Sequence, residues 1–464
     1  MEELLKIVCR INSYLSDYVL IALLAGAGIY FTLRTGFVQI RCFGEGFRKA
    51  FGNFSLHGKS SAGGLSPFQA LATAVAAQVG TGNVVGAAGA ILTGGPGAIF
   101  WMWLIAFFGM ATIYAEAVLA QTTRVQDGNG VFHGGPVYYI KKAFPNWFGK
   151  VLAVFFAVAI IVSLGFMGCM VQANSIGETC RNAFDVPTWS VGLIIAGTAM
   201  FIFIGGISRI ASVTEKLVPL MAVLYILGGM AVLIMRMEYL PQTFALIFKY
   251  AFAPDALIGG SLGHALKVAV SQGVKRGLFS NEAGMGSTPH AHAVANVAQP
   301  HDQGVVAMIG VFIDTAIVLT ITALIVISTI YTGNGVLAKA TGNNYTELLA
   351  NSGLTKTNLV QQAVASVSCD SVGNIFVAVC LLFFAFSTII SWNYFGKINF
   401  EYLFGRKAAI IYSILAVLSI FCGTLLKNDL VWELQDMFNQ LMVLPNILAL
   451  LTLSGIVAKA ARKR

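Results

Sequence analysis

Apolar residues run through this chain in blocks of about 20, set apart by short polar segments, from residue 17 to residue 457. A helix needs about 20 apolar residues to cross the hydrocarbon of a bilayer. The blocks therefore predict spans at 17–37, 68–92, 96–121, 150–173, 188–207, 214–235, 257–283, 304–331, 372–396, 408–426 and 431–457. The strict alternation of an outer-membrane strand is absent. The expectation is one all-α polytopic membrane domain over 1–464 with eleven transmembrane helices. Span 257–283 is the most polar, with His264, Lys267, Lys275 and Arg276.

Two blocks carry interruptions. In AAQVGTGNVVG, Ala76 to Gly86, four residues that loosen a helix or add polarity stand together: Gly80, Thr81, Gly82 and Asn83. Backbone groups freed inside a bilayer must find partners. A broken helix at that depth commonly builds a site for an ion or a small polar solute. The carbonyls of Ala76 and Val79 are candidate ligands for a hard cation such as sodium. Amides from Thr81 onward, at the start of the next half-helix, suit a carboxylate. Gln78 and Asn83 add side-chain amides. Close packing through Gly82-x-x-x-Gly86 explains the glycines but not the polar cluster. The second interruption is expected at Gly273 and Gly277, with Gly284, Gly286 and Pro289 ending that helix.

The first block then reads as a peripheral helix, 17–37. Ten core helices follow in two halves, 68–235 and 257–457, of opposite orientation. The first helix of each half is broken. Matched broken segments in two inverted halves point to a transporter binding site, which makes Gly273 and Gly277 candidate substrate contacts.

Other polar positions lie within apolar runs. FFAFSTIISWN, Phe383 to Asn393, offers the Ser387 and Thr388 hydroxyls and the Phe384 carbonyl as sodium ligands. Such hydroxyls also bond their own i−4 carbonyl. Trp392 shares a helix face with Thr388 and is a candidate pocket wall. Asp314 is the only charge in span 304–331. It is read either as an ion or proton site or as a partner of Arg276 or Lys275. Glu282 is expected to cap or gate the sixth core helix at its cytoplasmic end. Glu116 and Arg124 are expected to be structural. His290, His292 and His301 are expected in a solvated loop, with metal binding by HxH as the alternative. Segment 332–371 is long enough to fold over the site.

Composition agrees with the membrane reading: 57% of residues are hydrophobic and 11% charged, where soluble domains carry roughly 25% charged residues. No secretory leader is evident at the start. The net charge of +9 invites a nucleic-acid partner, but its distribution favours membrane orientation instead. With the N-terminus outside, 17 Lys and Arg fall on inside segments and 8 on outside ones, which predicts the N-terminus out and the C-terminus in. The seven cysteines form no CxxC pair and read as small buried apolar residues. No HExxH, GxSxG or paired catalytic aspartates occur within spans, so an enzyme is not expected.

Taken together, AQVGTGN, GGPGAIFWMW, RGLFSNEAGMGSTP, FIDT and FAFSTIISW resemble the alanine or glycine:cation symporter family over nearly the whole chain. The resemblance implies a leucine-transporter-type fold of five plus five inverted helices. It implies sodium-driven uptake of alanine or glycine at the cytoplasmic membrane. Carried over by motif, Gln78, Thr81, Gly82 and Asn83 would serve the substrate. Ala76, Val79, Ser387 and Thr388 would serve sodium, and Trp392 would close the pocket beside Phe166. Proton coupling on the same fold is the alternative.

Overall fold

In hydrocarbon, a helix satisfies its own backbone polar groups, and helices fill this chain. The computed structural model describes residues 2–52, 64–126, 128, 132–426 and 429–462. Four residues of the orientation count, Lys59, Lys427, Lys463 and Arg464, lie outside the described residues.

The helices run in order as α1 (Glu3–Arg34), α2 (Phe43–Phe51), α3 (Pro67–Gln78), α4 (Gly82–Gly94), α5 (Ala98–Thr123), α6 (Pro136–Ala143), α7 (Trp147–Phe184), α8 (Thr188–Ile204), α9 (Gly206–Met235) and α10 (Leu240–Phe252). After them come α11 (Leu262–Asn281), α12 (Pro289–Ala293), α13 (Pro300–Ile330), α14 (Tyr345–Ser352), α15 (Leu359–Ala365), α16 (Asp370–Phe404), α17 (Ala409–Gly423), α18 (Asp429–Thr452) and α19 (Ser454–Arg462). Val125–Gln126 and Phe132–His133 form one short antiparallel ladder between α5 and α6.

The expected apolar blocks fall on these helices, with 68–92 divided between α3 and α4 and 431–457 between α18 and α19. Among the described residues, seven helices are long and apolar enough to cross a membrane, or nine if each bent pair is one span. α8 is shorter, and α11 carries Lys267, Lys275 and Arg276. The N-terminal helix starts at Glu3, well before the expected residue 17. Large apolar side chains are exposed on outer helices, such as Ile194 and Phe201 of α8 and Ile410 and Ile414 of α17. In water such a surface would be costly; against lipid tails it is not. The interior holds Trp392, Tyr114, Tyr225 and Phe384, all fully buried.

The first break stands where the sequence predicts it. Ser66 caps α3 with a reciprocal bond to Gln69, and Pro67 opens the helix. The helix stops at Val79, whose ψ of 90° leaves helical geometry, and α4 resumes bent by 45°.

The second break does not stand at Gly273 and Gly277. Both lie inside the uninterrupted α11. A Cβ on Gly273 would meet Trp101 and the Ala98 carbonyl, and one on Gly277 would meet Ile105. These glycines let α11 approach α5 closely and contact no open space. The break comes instead at Glu282, which takes a left-handed φ of 58°, and continues through Gly284 (φ 91°) and Gly286 (φ 83°). All residues from Leu278 to Ala295 are buried. The expected cytoplasmic helix end is therefore an interior turn, from which Pro289 starts α12.

The expectation of a solvated histidine loop is also corrected. His290 stacks between Phe156 and Phe395, His292 pairs with Gln303, and His301 meets Tyr114. Segment 332–371 supplies α14 and α15. Tyr345 donates to the Leu92 carbonyl at 2.7 Å, which lays the segment across the end of α4.

Candidate ion and amino-acid site

Within a helix the Ala76 carbonyl would accept from the amide of Gly80. Here Gly80 N–H donates instead to Asn83 Oδ1 at 3.0 Å, so the break is held open by its own asparagine and Ala76 O is released. Two hydroxyls of α16 come to it. Thr388 Oγ1 lies 2.9 Å from Ala76 O, 3.4 Å from Val79 O and 3.0 Å from Phe384 O. Ser387 Oγ lies 3.4 Å from Ala76 O and 2.9 Å from Phe384 O. Five oxygens thus converge with two hydroxyl protons to share among them. Phe384 O takes the i−3 and i−4 back-bonds that membrane hydroxyls commonly make; Ala76 and Val79 come from another helix, and back-bonding does not explain them. A surplus of oxygen lone pairs in a dry site is what a hard monovalent cation resolves. All five predicted sodium ligands are brought together.

A second patch lies beside the cage. Thr81 N–H donates to Gln172 Oε1 of α7 at 3.1 Å. The Thr81 hydroxyl and Gln172 Nε2 are buried with no hydrogen-bond partner. Two buried donors without acceptors cost free energy until something accepts from them. An α-carboxylate is the natural acceptor at the first turn of α4. Gly80 separates the two patches: a Cβ there would run into Thr388 Oγ1 and stand 3.1 Å from Gln172 Oε1. Gly82 lets α4 pass α11, since its Cβ would lie 3.0 Å from Ser280 Cα. Gln172 escaped the sequence reading; its signal was only an amide in an apolar helix.

The remaining predicted residues divide. Trp392 is buried, packs edge-on to Phe279 at 5.9 Å and donates from Nε1 to Glu282 Oε1. Its ring also fills the space where a Cβ on Gly168 would stand. Phe166 is not its companion. It packs on Tyr412 at 5.4 Å in a separate apolar cluster, because the π-helical stretch Ile161–Gly168 turns Gly168, not Phe166, toward Trp392. Phe279 takes that place. Gln78 donates to the Asn281 carbonyl at 2.8 Å, tying the first break to α11.

Asn83 is committed internally: it holds Gly80 N–H and donates to Asp314 Oδ1 at 2.7 Å. Asp314 also accepts from Ser280 and Thr315. Its expected pairing with Arg276 or Lys275 does not occur. Both cations bind Asp436 of α18, at 3.0 Å and 2.8 Å, beside Trp432, whose ring packs tilted against Phe279 at 5.6 Å. Glu282 gates no helix end; it accepts from Ser287 and Trp392 in the interior. Glu116 takes the amides of Gly284 and Gly286 at 3.2 Å and 2.9 Å, plus Asn446 at 2.6 Å. Arg124 binds the carbonyls of Ala293 and Ala295.

Residues 1–463 match the sodium:alanine symporter family. The chain belongs to that family. It is an amino-acid symporter of the multi-pass membrane class, not an enzyme. The sodium/alanine symporter AgcS of Methanococcus maripaludis is 40% identical over 464 residues, covering 99% of this chain and 97% of AgcS. The probable sodium/glutamine symporter GlnT of Bacillus subtilis is 38% identical over 465 residues, covering 100% of this chain and 91% of GlnT. Among solved structures, MhsT in complex with L-phenylalanine superposes with a TM-score of 0.58 at 16% identity, over 87% of this chain and 98% of MhsT. That likeness bears on the fold alone.

Proposed function

We propose that this symporter couples the entry of sodium to the import of a small amino acid, alanine or glycine, by alternating access across the cytoplasmic membrane. Its N-terminus would lie outside and its C-terminus inside. The carrying observation is the pairing across Gly80 of an oxygen-rich cage with two unpaired buried donors. Sodium would join Ala76 O, Val79 O, Phe384 O, Ser387 and Thr388, fastening the broken helix to α16. The substrate carboxylate would take Gln172 Nε2, the Thr81 hydroxyl and the start of α4. Trp392, wedged between Gly168 and Phe279, would limit side-chain size. AgcS is a sodium/alanine symporter by name, which supports this reading; GlnT, named for glutamine, marks how far specificity varies within the family.

The test is uptake into proteoliposomes. Labelled alanine should accumulate when a sodium gradient is imposed inward. Accumulation that ignores the gradient overturns sodium coupling. Asp314, a buried carboxylate among Asn83, Ser280 and Thr315, supports a second reading in which a proton drives transport. Ser387→Ala combined with Thr388→Ala separates the two. Sodium coupling predicts that cation dependence disappears, whereas proton coupling predicts that it persists unchanged.

A further inference from the structure

The sequence reading treats Cys42 as a small apolar residue and gives His301 to solvent. The fold brings them together with Glu45. Cys42 sits at the corner between the short turn Val38–Arg41 and α2, and Glu45 follows three residues on, on the same helix face. His301 stands at the start of α13, which packs along α2. One ligand atom of each residue, a thiol, a carboxylate oxygen and an imidazole nitrogen, lies within 4.8 Å of the others. Cys42 is 1% exposed and His301 7%.

The imidazole is already oriented. Its Nδ1 is 2.8 Å from the Tyr114 hydroxyl. Its Nε2 is buried without a hydrogen-bond partner and stands 3.6 Å from Glu45 Oε1. With Nδ1–H donating to the phenol, Nε2 keeps a lone pair directed into the cluster. A partner on the outer nitrogen is how metal-binding histidines are held.

We propose that Cys42, Glu45 and His301 form a binding site for a zinc-class divalent ion. The donor set excludes calcium and magnesium, which take oxygens. It suits a borderline ion in tetrahedral geometry with three protein ligands and one water. On binding, the Cys42 thiol loses its proton to solvent as the sulfur–metal bond forms. Lys49 now stands 3.5 Å from Glu45 and 2.5 Å from Asp302; it would leave Glu45 and keep Asp302. Among the described residues, Lys49 and Asp302, each next to a proposed ligand or its helix start, line a cleft of about 520 Å³. A bound ion would fasten the Val38–Arg41 corner and α2 to α13. It would thereby restrain the end of the helix that carries Asp314.

The experiment uses the full-length chain purified in detergent and zinc chloride alone as ligand. Calorimetric titration should find one zinc per chain. Cys42→Ser and His301→Ala should each weaken it at least tenfold, and Tyr114→Phe about 10- to 100-fold, the range for a lost outer partner. Cys180→Ser should change nothing. No bound zinc, or binding indifferent to both Cys42→Ser and His301→Ala, overturns the site. If those variants do not fold, the wild-type protein decides. X-ray absorption of the zinc-loaded wild type should show one sulfur beside nitrogen and oxygen around the metal, and a shell without sulfur overturns the proposal.

Discussion

At the first break the freed carbonyls of Ala76 and Val79 face two hydroxyls from another helix. At the second the freed amides of Gly284 and Gly286 face a carboxylate, Glu116. Both turns are buried and both cost helical hydrogen bonds. The first is left with more oxygens than protons and with two donors unused; the second has its freed amides met from within the protein. The loss of helix alone therefore does not make a binding site. What matters is whether the fold itself supplies the missing partners. Glu116, Trp392 and Ser287 complete the second turn as framework. Asn83 completes only half of the first.

Removing the framework partner should do most harm. Glu116→Ala strands the amides of Gly284 and Gly286 and the Asn446 side chain in a dry interior, at about 1–3 kcal/mol for each unpaired group. Purified yield and thermal stability should collapse, with Glu116→Gln intermediate. A Glu116→Ala protein that melts like wild type would show that the second break does not need its carboxylate.

Gly80→Ala comes next, because its Cβ displaces Thr388 Oγ1 and crowds Gln172. Overpacking of this kind costs about 1–3 kcal/mol, so the protein should still fold. Sodium and alanine should both cease to raise its melting temperature. If either ligand still stabilises it normally, the two patches are not joined through Gly80.

Gln172→Ala should be narrower. Loss of one hydrogen bond to a charged carboxylate is worth about 1.5–3 kcal/mol, so the KM for alanine should rise roughly tenfold or more while stabilisation by sodium alone stays close to wild type. An unchanged KM removes Gln172 from the substrate wall. The smallest effect is expected at Phe166→Leu, where transport should stay within about twofold of wild type and only modest stability be lost, the residue being half-buried against Tyr412. A large rise in KM there would return Phe166 to the pocket.

Legibility in the sequence followed the range of the interactions. Ala76, Val79, Ser387 and Thr388 could be read because each pair lies within one turn and breaks an apolar run visibly. The apolar helices could be read because a bilayer sets the length of an apolar run. Gln172 could not, since its meaning depends on an amide 91 positions away. The second break was misplaced for a local reason. Glycine suggests looseness, yet Gly273 and Gly277 are helical contacts with α5. The turn begins at a glutamate in left-handed geometry, which propensity disfavours and tertiary bonds to Ser287 and Trp392 support. The histidines looked solvated because polarity was counted without their partners Asn399, Gln303 and Tyr114.

Gly80 has one more consequence. A single missing methyl group leaves the proposed cation ligand Thr388 and the proposed carboxylate ligand Gln172 both beside the one point where a Cβ on Gly80 would stand. On the proposed function, occupancy on one side would alter affinity on the other, and thermodynamics makes any such influence reciprocal. Whatever factor the proposed cation would lend to the amino acid, the amino acid would return to the cation. On this proposal, the stoichiometric discipline of the carrier would reside in the absence of a side chain.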